Sequence, residues 1–148
     1  MSKIEELIST YDTLNKTISD SIGQYIFDMM KDYPNVKSIS FVHYTPYFND
    51  GDACEWRLCV DGGKVVYQDD MGVEETLTID ELRSYAGYNR ELHRSTYKQN
   101  DHPASKLVID FGEFLEQIPS NIIENTFEEG EVIFDRDGTI TEEDYDHE

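Results

Sequence analysis

Residues 36–68, VKSISFVHYTPYFNDGDACEWRLCVDGGKVVYQ, decide the fold class of this chain. Ile39 and Phe41 alternate with Ser38, Ser40 and Val42, which reads as a half-buried strand with a side-chain period of two. Cys54, Trp56, Leu58 and Val60 share one face of a second strand. Val65 and Tyr67 mark a third, after Asp61-Gly62-Gly63, a glycine-rich turn of the kind that reverses a hairpin. The spacing predicts an antiparallel β-meander over residues 36–68. Between its first two strands runs Thr45-Pro46-Tyr47-Phe48-Asn49-Asp50-Gly51-Asp52, too long and too aromatic for a minimal turn.

Upstream, apolar residues recur at three- and four-residue steps: Ile4, Leu7, Ile8, Tyr11, Leu14, Ile18, Ile22, Tyr25, Ile26 and Met29. Ser2 and Glu5 have capping-box spacing, and Tyr33-Pro34 stops the pattern, so a long helix is expected over residues 1–33. Its seam suits docking on its own domain, with a two-helix dimer as the alternative. Downstream, residues 78–126 read as helical. Thr78 and Glu81 repeat the capping-box spacing ahead of Leu82, Tyr85 and Leu92, although Gly87 weakens that helix. Pro103 suits the first turn of another, whose face is Leu107, Val108, Phe111, Phe114, Leu115 and Ile118. Pro119 ends it, and a short helical turn surrounds Ile122 and Ile123. Val132 and Phe134 then lead through Asp137-Gly138 to Thr139–Thr141, a hairpin over residues 130–142, with an acidic tail at 143–148. The expected architecture is α+β: one domain, residues 1–148, with the meander and the C-terminal hairpin packed on two or three helices.

Composition bounds the function. The 148 residues carry 32 acidic and 12 basic side chains, a net charge of -20, with 38% hydrophobic content. That apolar fraction supports a folded core. The field repels nucleic acid and anionic lipid and attracts basic surfaces, so direct nucleic-acid and membrane partners are not expected. Nothing approaches the ~20 apolar residues of a membrane span, and the first residues lack a secretory pattern. Cys54 and Cys59 are an odd number of residues apart on one strand, so their side chains oppose each other across it. Unpaired cysteines fit a reducing compartment, and a cytoplasmic location is expected, the host cytoplasm for a phage-encoded chain.

Catalytic and metal patterns are thin. His43 comes near Cys54 across the first hairpin, yet Cys54 shares its face with Trp56 and Leu58, a core setting. Four His and two Cys make no zinc set, and Asp61-Gly62-Gly63-Lys64 lacks the remaining spacing of a phosphate loop. Asp135, Asp137, Gly138 and Ile140 mimic part of a calcium loop, but Ile133 stands where the first carboxylate belongs and Asp144 where the bidentate Glu belongs. No enzyme activity, metal or cofactor is expected. Two ligand sites remain open: the loop residues Tyr47, Phe48, Asn49, Asp50 and Asp52, for which turn chemistry is the preferred explanation, and a basic island. Arg83, Arg90, Arg94 and Lys98 step along one predicted helical face, suited to an anion or to neutralising the acidic hairpin.

The charge distribution is more informative. Residues 113–148 hold thirteen Asp or Glu against Arg136 alone, a net of -12, which leaves -8 for residues 1–112. Twelve charges match ~20 Å of duplex DNA, which carries one charge per ~1.7 Å of axis. The expected function is an acidic protein-binding inhibitor or modulator. Its candidate contacts are Glu128, Glu129, Glu131, Asp135, Asp137, Glu142, Glu143 and Asp144, set against a basic protein surface such as that of a DNA-binding or defence protein. Charge alone also serves solubility. Further alternatives are the small-ligand or cation domain and an adaptor that homodimerises through the first helix.

Residues 40–52, SFVHYTPYFNDGD, resemble a segment of uncharacterised acidic phage and bacterial proteins, a likeness that implies no activity. In charge, though in no quotable motif, the chain resembles phage DNA-mimic inhibitors. That likeness implies a partner with a DNA-binding groove.

Overall fold

The computed structural model describes residues 2–45, 55–91 and 93–144. The aromatic loop residues Tyr47, Phe48, Asn49, Asp50 and Asp52, with Cys54, lie outside the described residues. Helix α1 (Lys3–Met30) begins as the capping pattern requires, with Ser2 Oγ accepting the Glu5 N–H at 3.2 Å. Strands follow as β1 (Val36–Tyr44), β2 (Arg57–Cys59), β3 (Lys64–Gln68) and β4 (Glu74–Thr78). A 3-10 turn (Ile79–Leu82) leads into β5 (Arg83–Asn89) and β6 (Arg94–Gln99). Helices α2 (Ser105–Gln117) and α3 (Ser120–Thr126) precede β7 (Gly130–Asp135) and β8 (Ile140–Glu143). The architecture is α+β: an antiparallel sheet, a separate hairpin and three helices.

The main sheet runs β4-β3-β1-β7-β8, with β2 also on β1. Cys59 pairs with Val42 and Val65 with Ile39, so β2 and β3 lie end to end along one edge of β1. Asp61-Gly62-Gly63 therefore does not reverse the chain; it bulges out of a single interrupted strand. A Cβ on Gly63 would stand 1.9 Å from the Ser40 carbonyl oxygen, so the bulge presses flat against β1. Ser40 replaces the broken ladder, its Oγ accepting the Lys64 N–H at 2.9 Å and donating to Glu131 Oε2 at 2.7 Å. The third strand of the meander is β4, which pairs with β3 and which the sequence pattern does not announce.

The larger correction concerns residues 83–99. Thr78 Oγ1 does accept the Glu81 N–H at 3.3 Å, but the helix ends after one turn. Arg83–Asn89 and Arg94–Gln99 pair as a β-hairpin with a register shift between Tyr85 and Gly87, where Gly87 has φ +122°. Tyr85, Tyr88, Thr96 and Tyr97 favour a pleated surface, and Gly87 disfavours a helix interior. The cap formed; nothing propagated it.

One core unites these parts. Ile39 and Phe41 of β1 and Val132 and Phe134 of β7 meet Leu107, Val108, Phe111 and Leu115 of α2, Ile122 and Ile123 of α3, and Ile22, Ile26 and Met30 of α1. The face predicted for residues 107–118 is thus the observed one. Helix α1 docks only by its C-terminal half, and every residue from 2 to 14 is exposed. No helix among the described residues is long and apolar enough to cross a membrane.

Candidate functional site

The β7–β8 hairpin pairs Glu131 with Glu143 and Val132 with Glu142. This register brings the start of β7 beside the end of β8. Gly130, at φ +132°, lets the two backbones approach: a Cβ there would lie 2.1 Å from the Glu143 carbonyl oxygen. Six predicted carboxylates, Glu128, Glu129, Glu131, Glu142, Glu143 and Asp144, consequently gather at one end. Two are anchored. Glu142 Oε2 accepts the Glu128 N–H at 2.7 Å, and Glu131 accepts from Ser40. None of the six takes part in an ion pair among the described residues.

Asp135 and Asp137 belong elsewhere, at the tight turn of the hairpin. Asp137 Oδ1 accepts the Thr139 N–H at 2.9 Å, and bonds from Thr139 hold its carboxyl below the usual range. The Asp135 N–H donates to the Thr139 carbonyl at 2.9 Å, and Gly138 takes φ +94°. The segment is a strand-turn-strand, so the calcium-loop geometry is missing, and among the described residues no group of three or more His, Cys, Asp or Glu is placed to hold a metal ion.

Beneath the acidic end lies His43, fully buried, with Nδ1 accepting the Trp56 indole N–H at 2.9 Å and Nε2 donating to the Glu128 carbonyl at 2.7 Å. Burial pushes its pKa below 6.5, against the opposing pull of Glu129, Glu142 and Glu124. The charge of those three carboxylates favours the imidazolium, and burial outweighs it. His43 is a satisfied core group that fixes the backbone at Glu128.

The basic island does not survive as a face. Arg83 opposes Gln99 and Lys98 opposes Ser84, so the two side chains leave opposite sides of the hairpin. Arg83 is buried, pairs with Asp61 and stacks on Tyr97 with its guanidinium 3.5 Å from the ring centroid. Arg94 approaches Glu116 at 3.9 Å, while Arg90 and Lys98 stay exposed. Burial raises the Glu116 pKa, opposed by Arg94 and Arg83. Arg83 and Arg94 do share a cleft of about 930 Å³ with Trp56, Tyr88, Tyr97 and Glu116. Sequence periodicity missed this cleft because it forms between the hairpin, β2 and α2, elements distant along the chain.

Arg136, conspicuous in sequence as the one base among the last thirty-six residues, turns inward. It donates from Nε to the Val36 carbonyl at 2.8 Å and from Nη2 to the carbonyls of Met30 at 2.6 Å and of Tyr33. It clamps the hairpin to the end of α1, and so is turned away from the acidic end. No family model, no curated protein and no solved structure matches this chain.

Proposed function

We propose that the protein is an acidic protein-binding modulator that sets Glu128, Glu129, Glu131, Glu142, Glu143 and Asp144 against a basic groove, of the kind that ordinarily takes duplex nucleic acid. The observation that carries this reading is the gathering of six carboxylates, none of them in an ion pair among the described residues, at one end of the β7–β8 hairpin. Like charges held together cost folding stability, and Arg or Lys side chains of a partner relieve that cost while replacing phosphate contacts with carboxylate ones. Affinity for such a partner rests on charge pairs and therefore weakens as salt rises.

The test is capture from a bacterial lysate by the immobilised full chain, eluted by a salt gradient and by competing duplex DNA. A DNA-binding protein displaced by both is expected. Its direct titration against Glu128→Gln/Glu129→Gln/Glu142→Gln/Glu143→Gln, which keeps the hydrogen-bonding shape, is expected to show a loss of at least tenfold. Equal binding by this variant, or binding indifferent to salt and duplex, sinks the proposal.

The cleft favours a second reading, a small ligand carrying an aromatic face and an acidic group. Trp56, Tyr88 and Tyr97 offer stacking surfaces, and Arg94 offers a donor held only loosely by Glu116. A thermal-shift screen of nucleotides and aromatic acids checks it, since a ligand at a hundred times its Kd adds about 2.7 kcal/mol. A shift that Arg94→Gln abolishes is expected; no shift across the screen ends this reading.

A further inference from the structure

Helix α1 carries a surface that the fold does not use. Ile4 (69% exposed), Leu7 (59%), Ile8 (55%), Tyr11 (57%) and Leu14 (57%), with Ile18 (38%), all face solvent on the half of the helix that projects from the body. At 3.6 residues per turn these six fall within a stripe about 120° wide. Contiguous apolar patches of this extent mark interaction sites rather than incidental exposure.

We propose that two copies of the chain pair antiparallel through residues 4–18 of α1, each stripe covering the other. The spacing of Ile4, Leu7, Tyr11, Leu14 and Ile18 alternates in steps of three and four, the repeat by which two helices interlock. The exposed area of the six side chains is on the order of 700 Å² per copy, close to the ~800 Å² each partner contributes to a standard interface.

Charge selects a second copy as the occupant. Residues 2–20 contain Lys3 and Lys16 against Glu5, Glu6, Asp12 and Asp20, so the arm holds only -2 of the total of -20. All six charges project at least ~80° from the centre of the stripe, given the helical repeat. An acidic chain that must approach another copy of itself meets least repulsion here.

Orientation follows from two observations. Beyond Ile18 the line of the stripe reaches Tyr25, which stacks on Phe114 of α2 with ring centroids 4.2 Å apart. A parallel partner running on past residue 18 would meet α2. It would also lay two bodies of -18 side by side. Antiparallel pairing sets the bodies at opposite ends of an arm about 20 Å long at 1.5 Å per residue. That exceeds twice the ~8 Å Debye length at physiological salt, so their repulsion is largely screened.

Sedimentation equilibrium of the full chain tests the pairing. The expected mass is twice 17.2 kDa for the native sequence and once that value for Leu7→Asp/Leu14→Asp. The variant should keep its melting temperature as a monomer and its main-chain circular dichroism outside the arm, because both side chains are exposed. In a Cys54→Ser/Cys59→Ser background, oxidation should cross-link copies carrying both Ile4→Cys and Ile18→Cys, which face each other in the antiparallel pair, and should leave Leu7→Cys alone uncross-linked. A strict monomer up to 100-micromolar-scale concentration overturns the proposal, as does a dimer that Leu7→Asp/Leu14→Asp leaves intact. Self-cross-linking of Leu7→Cys overturns the antiparallel arrangement and the proposal with it.

Discussion

Replacing Arg136 by Met removes a guanidinium that bonds the carbonyls of Met30, Tyr33 and Val36 while keeping much of the side chain's volume. Hydrogen bonds to charged groups contribute ~1.5–3 kcal/mol each in favourable settings. Two features lower that figure here. Arg136 is half-buried, and the Met30 and Tyr33 carbonyls each keep a backbone partner, the Tyr33 and Val36 N–H groups at 3.0 Å. About 1 kcal/mol per bond is then appropriate, or ~3 kcal/mol in all. In a chain of this length that lowers the melting temperature by about 6–12 °C, at 2–4 °C per kcal/mol. The bonds join residues a hundred or more apart in sequence, so the loss belongs to global unfolding rather than local fraying. Urea titrations of the native chain, Arg136→Met and Arg136→Lys measure it through the midpoint at constant slope. Lys keeps the charge but not the fork, and about a third of the loss should return. A midpoint for Arg136→Met equivalent to a change under ~0.5 kcal/mol would refute the clamp.

Two further outcomes are expected. Gly63→Ala must push its methyl into the Ser40 carbonyl and should cost on the order of 3 kcal/mol by overpacking, whereas Gly138→Ala, with open space but φ +94°, should cost only ~1–2 kcal/mol; similar costs at both sites would contradict the bulge geometry. His43 gives a pH signature: with its folded pKa below 6.5, the unfolded chain binds the proton first, so its stabilising effect is complete above pH ~6.5 and declines as pH falls, by at most ~1.4 kcal/mol per unit, until the folded imidazole protonates too. The stability gap between the native chain and His43→Gln should therefore narrow from pH 7 to pH 5, and a constant gap would remove the assignment.

Where local physics suffices, the sequence is legible. The face of α2, the Ser2 cap of α1 and the Asp137-Gly138 turn each depend on residues within one element, and each appears as read; β1 forms where expected, but it lies between β3 and β7 and is buried from Ser38 through His43, so the half-buried alternation does not hold. Residues 83–99 show the failure. The Thr78 cap is real, but a cap only permits a helix, and Tyr85, Tyr88 and Tyr97 suit the pleated strands of a hairpin that packs on α2. The basic island was a projection of that wrong period, and it dissolved with it. Gly62-Gly63 misled for a related reason: glycine marks a close approach as readily as a reversal, and only the pairing of both flanks with β1 distinguishes them.

By itself the sequence determined the α+β class, the apolar faces that build the core, and a charge of -20 weighted toward its C-terminal third. These are sums and short-range periodicities, which no tertiary arrangement alters. Tertiary structure alone decided which six carboxylates share an end, because register sets that neighbourhood and register depends on the partner strand. It also decided that Arg136 faces inward and that the apolar stripe of α1 outruns the body meant to cover it. A helix advances 1.5 Å per residue whatever it packs against, so a seam that looks continuous in sequence ends where the body runs out of surface.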